Sequence, residues 1–434
     1  MLFYSSVPEV FRRMNLQADS AAALARKQDA AKRLNFYHDE QLTRLEEQLN
    51  QLFSDPSAMV KAELNIVKKV INNLSQVYRE PPSRVIEGSE KDQAIYEEIV
   101  EGCALDVRMK QASRYCKLLK TILLRPIWRN ENLDLDIITG NICDVVTGDS
   151  PEILEQVLLT DYGQTDKVED VEYSLWTPET WTRLDYRGNK LQEEANPYGV
   201  LPFLPVFDYP PPSSAFWLAG GSDLISLQEA INVKLTDLLY LISQQSFGVG
   251  WIRGAQSGSS VKVDPGSLVE LPENGALGFE SQKAQIGEVV NAIDKLVKWA
   301  CVGNGLSASS MSTDPQEASG LSKQIDTREL GEMRKDDIAL FRSYEKQLFN
   351  LMRVVWNVHS SKKLSANAAL KIDFSDPRPE VDPLTQAKTN ELLVEMGVIS
   401  AVDVLLERNT DIDTREDALA HLLKVKEENQ LLTE

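Results

Sequence analysis

The sequence contains no run of about eighteen apolar residues, and without one no helix can span a bilayer. It has neither G-x-x-x-x-G-K-[ST] nor G-x-G-x-x-G, the two glycine patterns that bring backbone amides onto nucleotide phosphates. Any work requiring ATP would therefore draw on a partner. Cysteine is scarce: Cys103, Cys116, Cys143 and Cys301 are far apart and form no C-x-x-C pair, which points to buried free thiols. His38, His359 and His421 have no carboxylate or second histidine at ligand spacing, so no metal and no cofactor is expected. Basic residues are outnumbered, with 46 Lys and Arg against 66 Asp and Glu, a formal charge of −20. Phosphates are repelled by such a chain, which argues against wrapping by nucleic acid or adhesion to an anionic membrane; a polyanion sliding past remains compatible. The opening MLFYSSVPEVFRRM has a short apolar stretch and no small-residue cleavage site, so no secretory signal is expected. The expected setting is a cytosol or a particle assembled there.

What is present is enough to fold. Apolar residues make up 42% of the 434, with seven tryptophans, and the length suggests two to four structural units. Leu42, Leu45, Leu49 and Leu52, then Val60, Leu64, Val67, Ile71 and Leu74, recur at helical spacing, the second run ending at Arg79-Glu80-Pro81-Pro82. A further helix is expected over 94–119. Strands are expected over 121–128, 133–138, 156–162, 171–176 and 181–185, where β-branched and aromatic residues lie between turn signals such as Arg187-Gly188-Asn189. This half reads as α+β.

In the middle, Leu224, Leu227, Ile231, Leu235, Leu238 and Ile242 give one helix an apolar face, and Ile286, Val289, Val290, Ile293, Leu296 and Val297 give another. Between them residues 247–282 read as short strands broken by Gly and Pro. Such an excursion buries little inside one chain, so Ile231, Leu235, Leu238, Ile293 and Leu296 are expected to meet neighbouring copies. Ahead of it, Gly220-Gly221 lacks the lysine of a phosphate loop; Ser222 as N-cap with Asp223 in the first turn accounts for it. A serine-rich loop over 303–319 leads to a long helix over 322–359, ~55 Å at 1.5 Å per residue, striped by Leu330, Met333, Phe341, Tyr344, Leu348, Leu351 and Val355. A strand over 370–374 follows, then helices over 384–396, stopped by Gly397, one opened by Ser400 with Asp403, and one opened by Asp413 with Glu416.

This order of parts resembles the portal proteins of tailed double-stranded DNA bacteriophages over nearly the whole chain. The residues that carry the resemblance are Asn65-Ile66-Val67-Lys68-Lys69-Val70 with Tyr78-Arg79-Glu80-Pro81-Pro82, and Asn196-Pro197-Tyr198-Gly199-Val200-Leu201-Pro202 followed by Gly221-Ser222-Asp223-Leu224 and Gln228-Glu229-Ala230-Ile231-Asn232. Ser319-Gly320-Leu321, Phe374-Ser375-Asp376-Pro377, Asp382, Gly397-Val398-Ile399-Ser400 and Asp413-Thr414-Arg415-Glu416 continue it. The resemblance implies an α+β portal-type subunit with wing, stem helices, small β clip, long tunnel helix and short helical crown. Its parts fall on the wing at 1–221 and, with the long helix, 318–383, the stem helices at 222–247 and 284–304, the clip at 248–283, the tunnel loop at 305–317 and the crown at 384–434.

The same resemblance implies a non-enzymatic ring, commonly a dodecamer, at one capsid vertex of a virion assembled in the host cytoplasm. Double-stranded DNA would pass through its channel in packaging and ejection. The packaging terminase, the major capsid and scaffolding proteins and the head-tail connector proteins are the implied partners. Leu306, Ser307, Ser309, Ser310, Met311, Ser312 and Thr313 would face DNA in the tunnel loop, and Trp251, Arg253 and Lys262 would lie in the clip, docking the motor or guiding the strand. An ordinary surface linker and isolated surface cations are the plain alternatives for these two sets.

Two rival classes bear on the same residues. Asp314, Glu317 and Lys323 faintly suggest a metal nuclease and Ser319 with Lys323 a serine hydrolase, but Ser319 to Lys323 is one residue too long for S-x-x-K and no strand flanks the acids. An oligomeric scaffold or adaptor without DNA in its channel is the other.

Overall fold

The computed structural model describes residues 21–57, 59–162, 167–213, 215–247, 249–253, 275–280, 286–307, 328–374, 383–408 and 414–431. They form an α+β chain that divides into two compact units, one built from the described residues up to 374 and one from 383–431.

The described part of the first unit opens with three helices, α1 (Ala21–Tyr37), α2 (Leu42–Leu52) and α3 (Ile66–Leu74). Asp39 takes the left-handed conformation, φ 66°, after α1, and the Glu40 amide reaches back to the Asn35 carbonyl at 2.8 Å, a Schellman-type end without glycine. The helix expected from Val60 starts only at Ile66, where Asn65 accepts from the Lys68 amide at 2.8 Å. Val60 and Leu64 are exposed, since the backbone before Ile66 has found partners elsewhere.

Strand β1 (Ser83–Glu87) precedes α4 (Glu90–Gly102) and α5 (Leu105–Leu119). One continuous helix was expected here. The break falls at Cys103-Ala104, with Ala104 at φ 49°, because both helices must lay an apolar face on the same sheet. That sheet is β2 (Thr121–Arg129), β3 (Asn132–Thr139) and β9 (Leu204–Phe207) in the order β3-β2-β9. β2 and β3 join through Asn130-Glu131, both at positive φ, the two-residue turn that suits the twist of antiparallel strands. Pro126 is tolerated in β2 because β9 pairs only with residues 121–124.

A five-stranded antiparallel sheet follows the chain: β4 (Cys143–Thr147), β5 (Leu154–Asp161), β6 (Glu172–Trp176), β7 (Thr180–Leu184) and β8 (Lys190–Ala195). The turn at Arg187-Gly188-Asn189 is held by Asp185, whose carboxylate accepts from the amides of Arg187 and Asn189 at 2.9 and 2.7 Å. After β9 come α6 (Ser222–Phe247), the hairpin β10 (Val249–Arg253) and β11 (Ala276–Glu280), α7 (Ile286–Val302), α8 (Arg328–His359) and β12 (Ala369–Asp373), which pairs with β1.

Helix α8 is about 48 Å long at 1.5 Å per residue. Phe341, Tyr344, Leu348, Met352 and Val355, spaced three and four apart, fasten it to the core shared by α4, α5, β2 and β3. Its most deeply buried carboxylate, Glu345, accepts from Tyr78 Oη at 2.8 Å and from Arg84 Nε and Nη2 at 3.1 and 2.7 Å. Nearer its start, Asp337 is bound to Lys117 Nζ at 2.8 Å; Lys117 is also 2.8 Å from Asp208. Burial lifts the Asp337 carboxyl to about 6 in spite of the lysine beside it.

The second unit holds α9 (Pro383–Glu395), α10 (Ala401–Arg408) and α11 (Arg415–Leu431). Gly397, at φ 71°, ends α9 in a Schellman motif, its amide on the Val394 carbonyl and that of Val398 on Leu393. Ser400 and Asp403 form the expected reciprocal cap at the start of α10. For α11 the cap is shifted by one residue from the expected Asp413 with Glu416. Thr414 Oγ1 accepts from the Asp417 amide at 3.2 Å and donates to its carboxylate at 2.6 Å.

Candidate functional site

The feature that sets this chain apart is the pair α6 and α7 with the β10–β11 hairpin between them, and its construction begins with three polar side chains. Gln228, Asn232 and Thr236 repeat every four residues on α6, so they form a stripe along one face, and all three are buried. Gln228 Oε1 accepts from the amides of Ile66 and Val67 at 2.7 and 3.1 Å, two of the donors that the first turn of α3 leaves unpaired. Its Nε2 donates to the Leu64 carbonyl at 2.6 Å and to Asn232 Oδ1 at 2.8 Å. Asn232 receives the Leu64 amide at 3.3 Å and donates to Gln41 Oε1 at 2.9 Å; Thr236 Oγ1 receives the Ala62 amide at 3.1 Å. The segment before α3 is thus laid along α6 as an extended chain, which is why it is not helical. Glu229, one residue along, is 2.8 Å from Lys32 Nζ and 2.9 Å from Arg44 Nε. α1, α2 and α3 are all clamped to the base of α6.

The apolar stripes correct the expectation drawn from them. α6 and α7 pack on each other and on α3, so Ile231 is fully buried and Ile293 nearly so within the chain itself. Leu235, Leu238 and Leu296 are half-buried against the same cluster. An apolar face on each of two antiparallel neighbours finds its partner in the other helix first, and only the remainder is left over. That remainder is Leu239 and Ile242 on α6 with Val290, Trp299 and Val302 on α7, all exposed, Trp299 by 60%.

The end of α7 is fixed as firmly as its face. Gly305, at φ 74°, directs its amide to the Val302 carbonyl at 3.1 Å, and the Leu306 amide returns to Cys301 at 3.0 Å, a Schellman motif whose apolar residue is Leu306. Leu306 is buried in the cluster with Cys301 and Ala300. It therefore anchors the start of the loop and does not face a channel. Ser307 follows it at intermediate exposure, whereas Ser309, Ser310, Met311, Ser312 and Thr313 lie outside the described residues, as do Asp314, Glu317, Ser319 and Lys323. Trp251 and Arg253 both belong to β10, paired with Gly278 and Ala276, and Arg253 is exposed; Lys262 is outside the described residues.

Chemistry is scarce elsewhere. All four cysteines are buried and none is in a disulfide, and burial pushes the thiols of Cys103, Cys116 and Cys143 upward, Cys103 to about 11, so none of these three is poised as a nucleophile. His359 is engaged, stacked on Trp128 and 3.0 Å from Tyr198 Oη. Among the described residues no cluster of His, Cys, Asp and Glu could hold a metal ion, and no helix is long and apolar enough to cross a membrane.

The model of one protein family, "Phage portal protein, SPP1 Gp6-like", matches residues 55–431. Among solved structures, a chain of the virion of a native gene transfer agent particle is similar at 9% identity and a TM-score of 0.43, over 79% of this chain and 88% of that one. A chain of the neck of the native particle computed with C12 symmetry gives 9% and 0.42 over the same shares. No curated protein matches the sequence.

Proposed function

This chain belongs to the family of SPP1 Gp6-like phage portal proteins, structural components of a virion rather than enzymes, and on that premise we propose that twelve copies close into a ring whose channel passes double-stranded DNA at one capsid vertex. The observation that supports the ring is the apolar remainder on the helix pair. Leu239, Ile242, Val290, Trp299 and Val302 are exposed on a rigid base in a chain of charge −20. A strip of this kind is covered by a different surface of the next copy, and a heterologous contact repeated through a closing rotation makes a ring.

In this reading α6 and α7 are the stem, the segment 248–283 around β10 and β11 is the clip, 305–317 the tunnel loop, 1–221 and 318–383 the wing with the long helix, and 384–434 the crown. The clip, with Trp251, Arg253 and Lys262, docks the packaging terminase before the head is filled and the head-tail connector proteins afterwards; the wing meets the major capsid and scaffolding proteins. Ser307, Ser309, Ser310, Met311, Ser312 and Thr313 face the DNA, leaving the anchored Leu306 behind. Their hydroxyls make sequence-independent contacts with phosphate, and the acidic chain keeps the duplex from adhering, since every neutralised phosphate would tether it.

Native mass spectrometry and end views by electron microscopy test the proposal. The expected result is a ring near twelve subunits with an open channel, and Trp299→Asp with Leu239→Asp is expected to leave folded monomers, because both side chains lie outside the intrachain core. A wild-type protein that stays monomeric, or a ring whose channel is too narrow for a duplex, overturns it; the second outcome would leave a scaffold or adaptor.

A further inference from the structure

The second unit has three helices and almost no interior. Of the side chains described in α9, α10, α11 and their connections, only Ala418 is buried, while Leu392, Met396, Val398, Leu419 and Leu423 are exposed. Polar bonds near the helix ends hold the unit instead: the caps at Ser400 and Thr414, and Arg415 Nη1 at 3.0 Å from Asp403, which ties α11 to α10. A unit of about fifty residues without an apolar core does not stay folded on caps alone, and oligomerisation is a common way to complete one.

Two faces of this unit are complementary. An open groove of about 480 Å³ is lined by residues of all three helices, with Val394, Ala401, Val404, Leu405 and Leu422 supplying apolar surface and Glu391 and Glu395 standing one turn apart on α9. Neither carboxylate has a cation partner among the described residues. On α11, at ~100° per residue, Leu419, Leu423 and Lys426 share a face turned away from Ala418, which is buried, and from Leu422, which lines the groove. Lys426 likewise has no carboxylate partner among the described residues. The groove is apolar with two anions on one wall; the ridge is apolar with a cation at one end. Because groove and ridge are different faces of one rigid helix set, a copy cannot fill its own groove with its own ridge, but it can fill its neighbour's. Phosphate is a poor occupant, since Glu391 and Glu395 repel it.

We propose that α11 of each copy lays Leu419 and Leu423 into the groove of the next copy's second unit, with Lys426 against Glu391 and Glu395 of that neighbour, so that the unit acquires its core only when the ring closes. The proposal rests on the ring reading above, in which the rotation that carries one copy onto the next carries the second unit with it. An apolar helix face anchored at i and i+4 is what such a groove recognises, and a contact between unlike faces repeats under one rotation until it closes.

The test uses the full chain, and amide hydrogen exchange over residues 415–426 is compared between the wild-type ring and the monomeric variant carrying Trp299→Asp and Leu239→Asp. Exchange in α11 is expected to be roughly tenfold slower in the ring. Lys426→Glu, or Glu391→Lys with Glu395→Lys, is expected to reduce that protection while the stem keeps the ring together, and all three changes in one chain are expected to restore it. Independently of the monomeric variant, Leu423→Cys with Val394→Cys in one chain is expected to yield ladders of linked copies on mild oxidation, which neither substitution yields alone. A ring in which α11 exchanges as it does in the monomeric variant, or in which the paired cysteines do not link copies, overturns this contact and leaves the ring standing. Protection that appears only on adding a head or tail protein also overturns it, by assigning the groove to that partner. A wild-type chain that stays monomeric overturns the ring and the contact together.

Discussion

Replacing Gln228 by methionine tests whether the helix pair is held to the body of the subunit by hydrogen bonds or by apolar contact alone. Methionine is close to glutamine in length and volume, so it leaves little cavity and the effect falls on the polar atoms. The Val67 amide loses its acceptor at a buried position and, in the first turn of α3, has no other, whereas the Ile66 amide keeps the Leu64 carbonyl at 3.0 Å. An orphaned buried donor costs about 1–3 kcal/mol, which is the loss expected here. The Leu64 carbonyl adds little, because Leu64 is itself exposed and water reaches it. Urea denaturation followed by circular dichroism, on the dissociated subunit, measures the loss. Gln228→Glu is the informative companion: its carboxyl still accepts from both amides, but the oxygen in place of Nε2 faces the Leu64 carbonyl and Asn232 Oδ1, which it can meet only when protonated, so its loss relative to wild type should be smaller at pH 4 than at pH 8. A loss under 1 kcal/mol for Gln228→Met, or a loss for Gln228→Glu that is the same at both pH values, would refute the view that α3 is capped from α6.

Asp337 titrates at about 6 in the folded chain, above its ordinary value of 3.8, so the folded state holds a proton that the unfolded state has released between those values. Stability therefore falls as pH rises from about 4 to 6, by at most ~3 kcal/mol, and Asp337→Asn is expected to remove that slope in denaturation curves taken across this window. Lys117 runs with the opposite partner logic: its folded pKa is raised by Asp208 and Asp337 despite burial, so its contribution is complete at neutral pH and is lost only in strong alkali. Gly305→Ala should cost about 1 kcal/mol, because φ 74° is strained for any side chain, and should free the segment beyond Leu306, seen as faster hydrogen exchange at Leu306 with no change in the exchange of α6.

Much of the fold was legible because it is written in short-range patterns. The bounds of α6 and α7 follow from apolar residues at three- and four-residue spacing; β2 and β3 follow from β-branched residues either side of a turn; Gly397 ends α9 for the one reason that favours glycine there. What was missed needs a partner distant in sequence. β8, Lys190-Leu191-Gln192-Glu193-Glu194-Ala195, is exposed at every position and is a strand only because β7 pairs with it. β9 contains Pro205 in a proline-rich stretch and is a strand because β2 is open beside it. Val60 and Leu64 keep perfect helical spacing, yet the backbone there is extended, since the stripe on α6 more than 160 residues away offers its amides and carbonyls better partners than a further helical turn would.

The candidate site shows the same limit in its sharpest form. An apolar stripe states that a face is covered; it does not state by what. Ile231 and Leu239 are eight residues apart on one helix, and both satisfy the spacing that a buried face requires, but α7 covers the first and leaves the second exposed. The difference arises from helical phase: at ~100° per residue Leu239 is turned about 80° from Ile231, away from the face on which Leu235 and Leu238 pack against the same cluster. For the same reason, substitutions that separate assembly from folding must be chosen among Leu239, Ile242, Val290, Trp299 and Val302. A charge at Ile231 or Ile293 would unfold the pair before any neighbour could be lost, and a failure to assemble would then say nothing about the contact between copies.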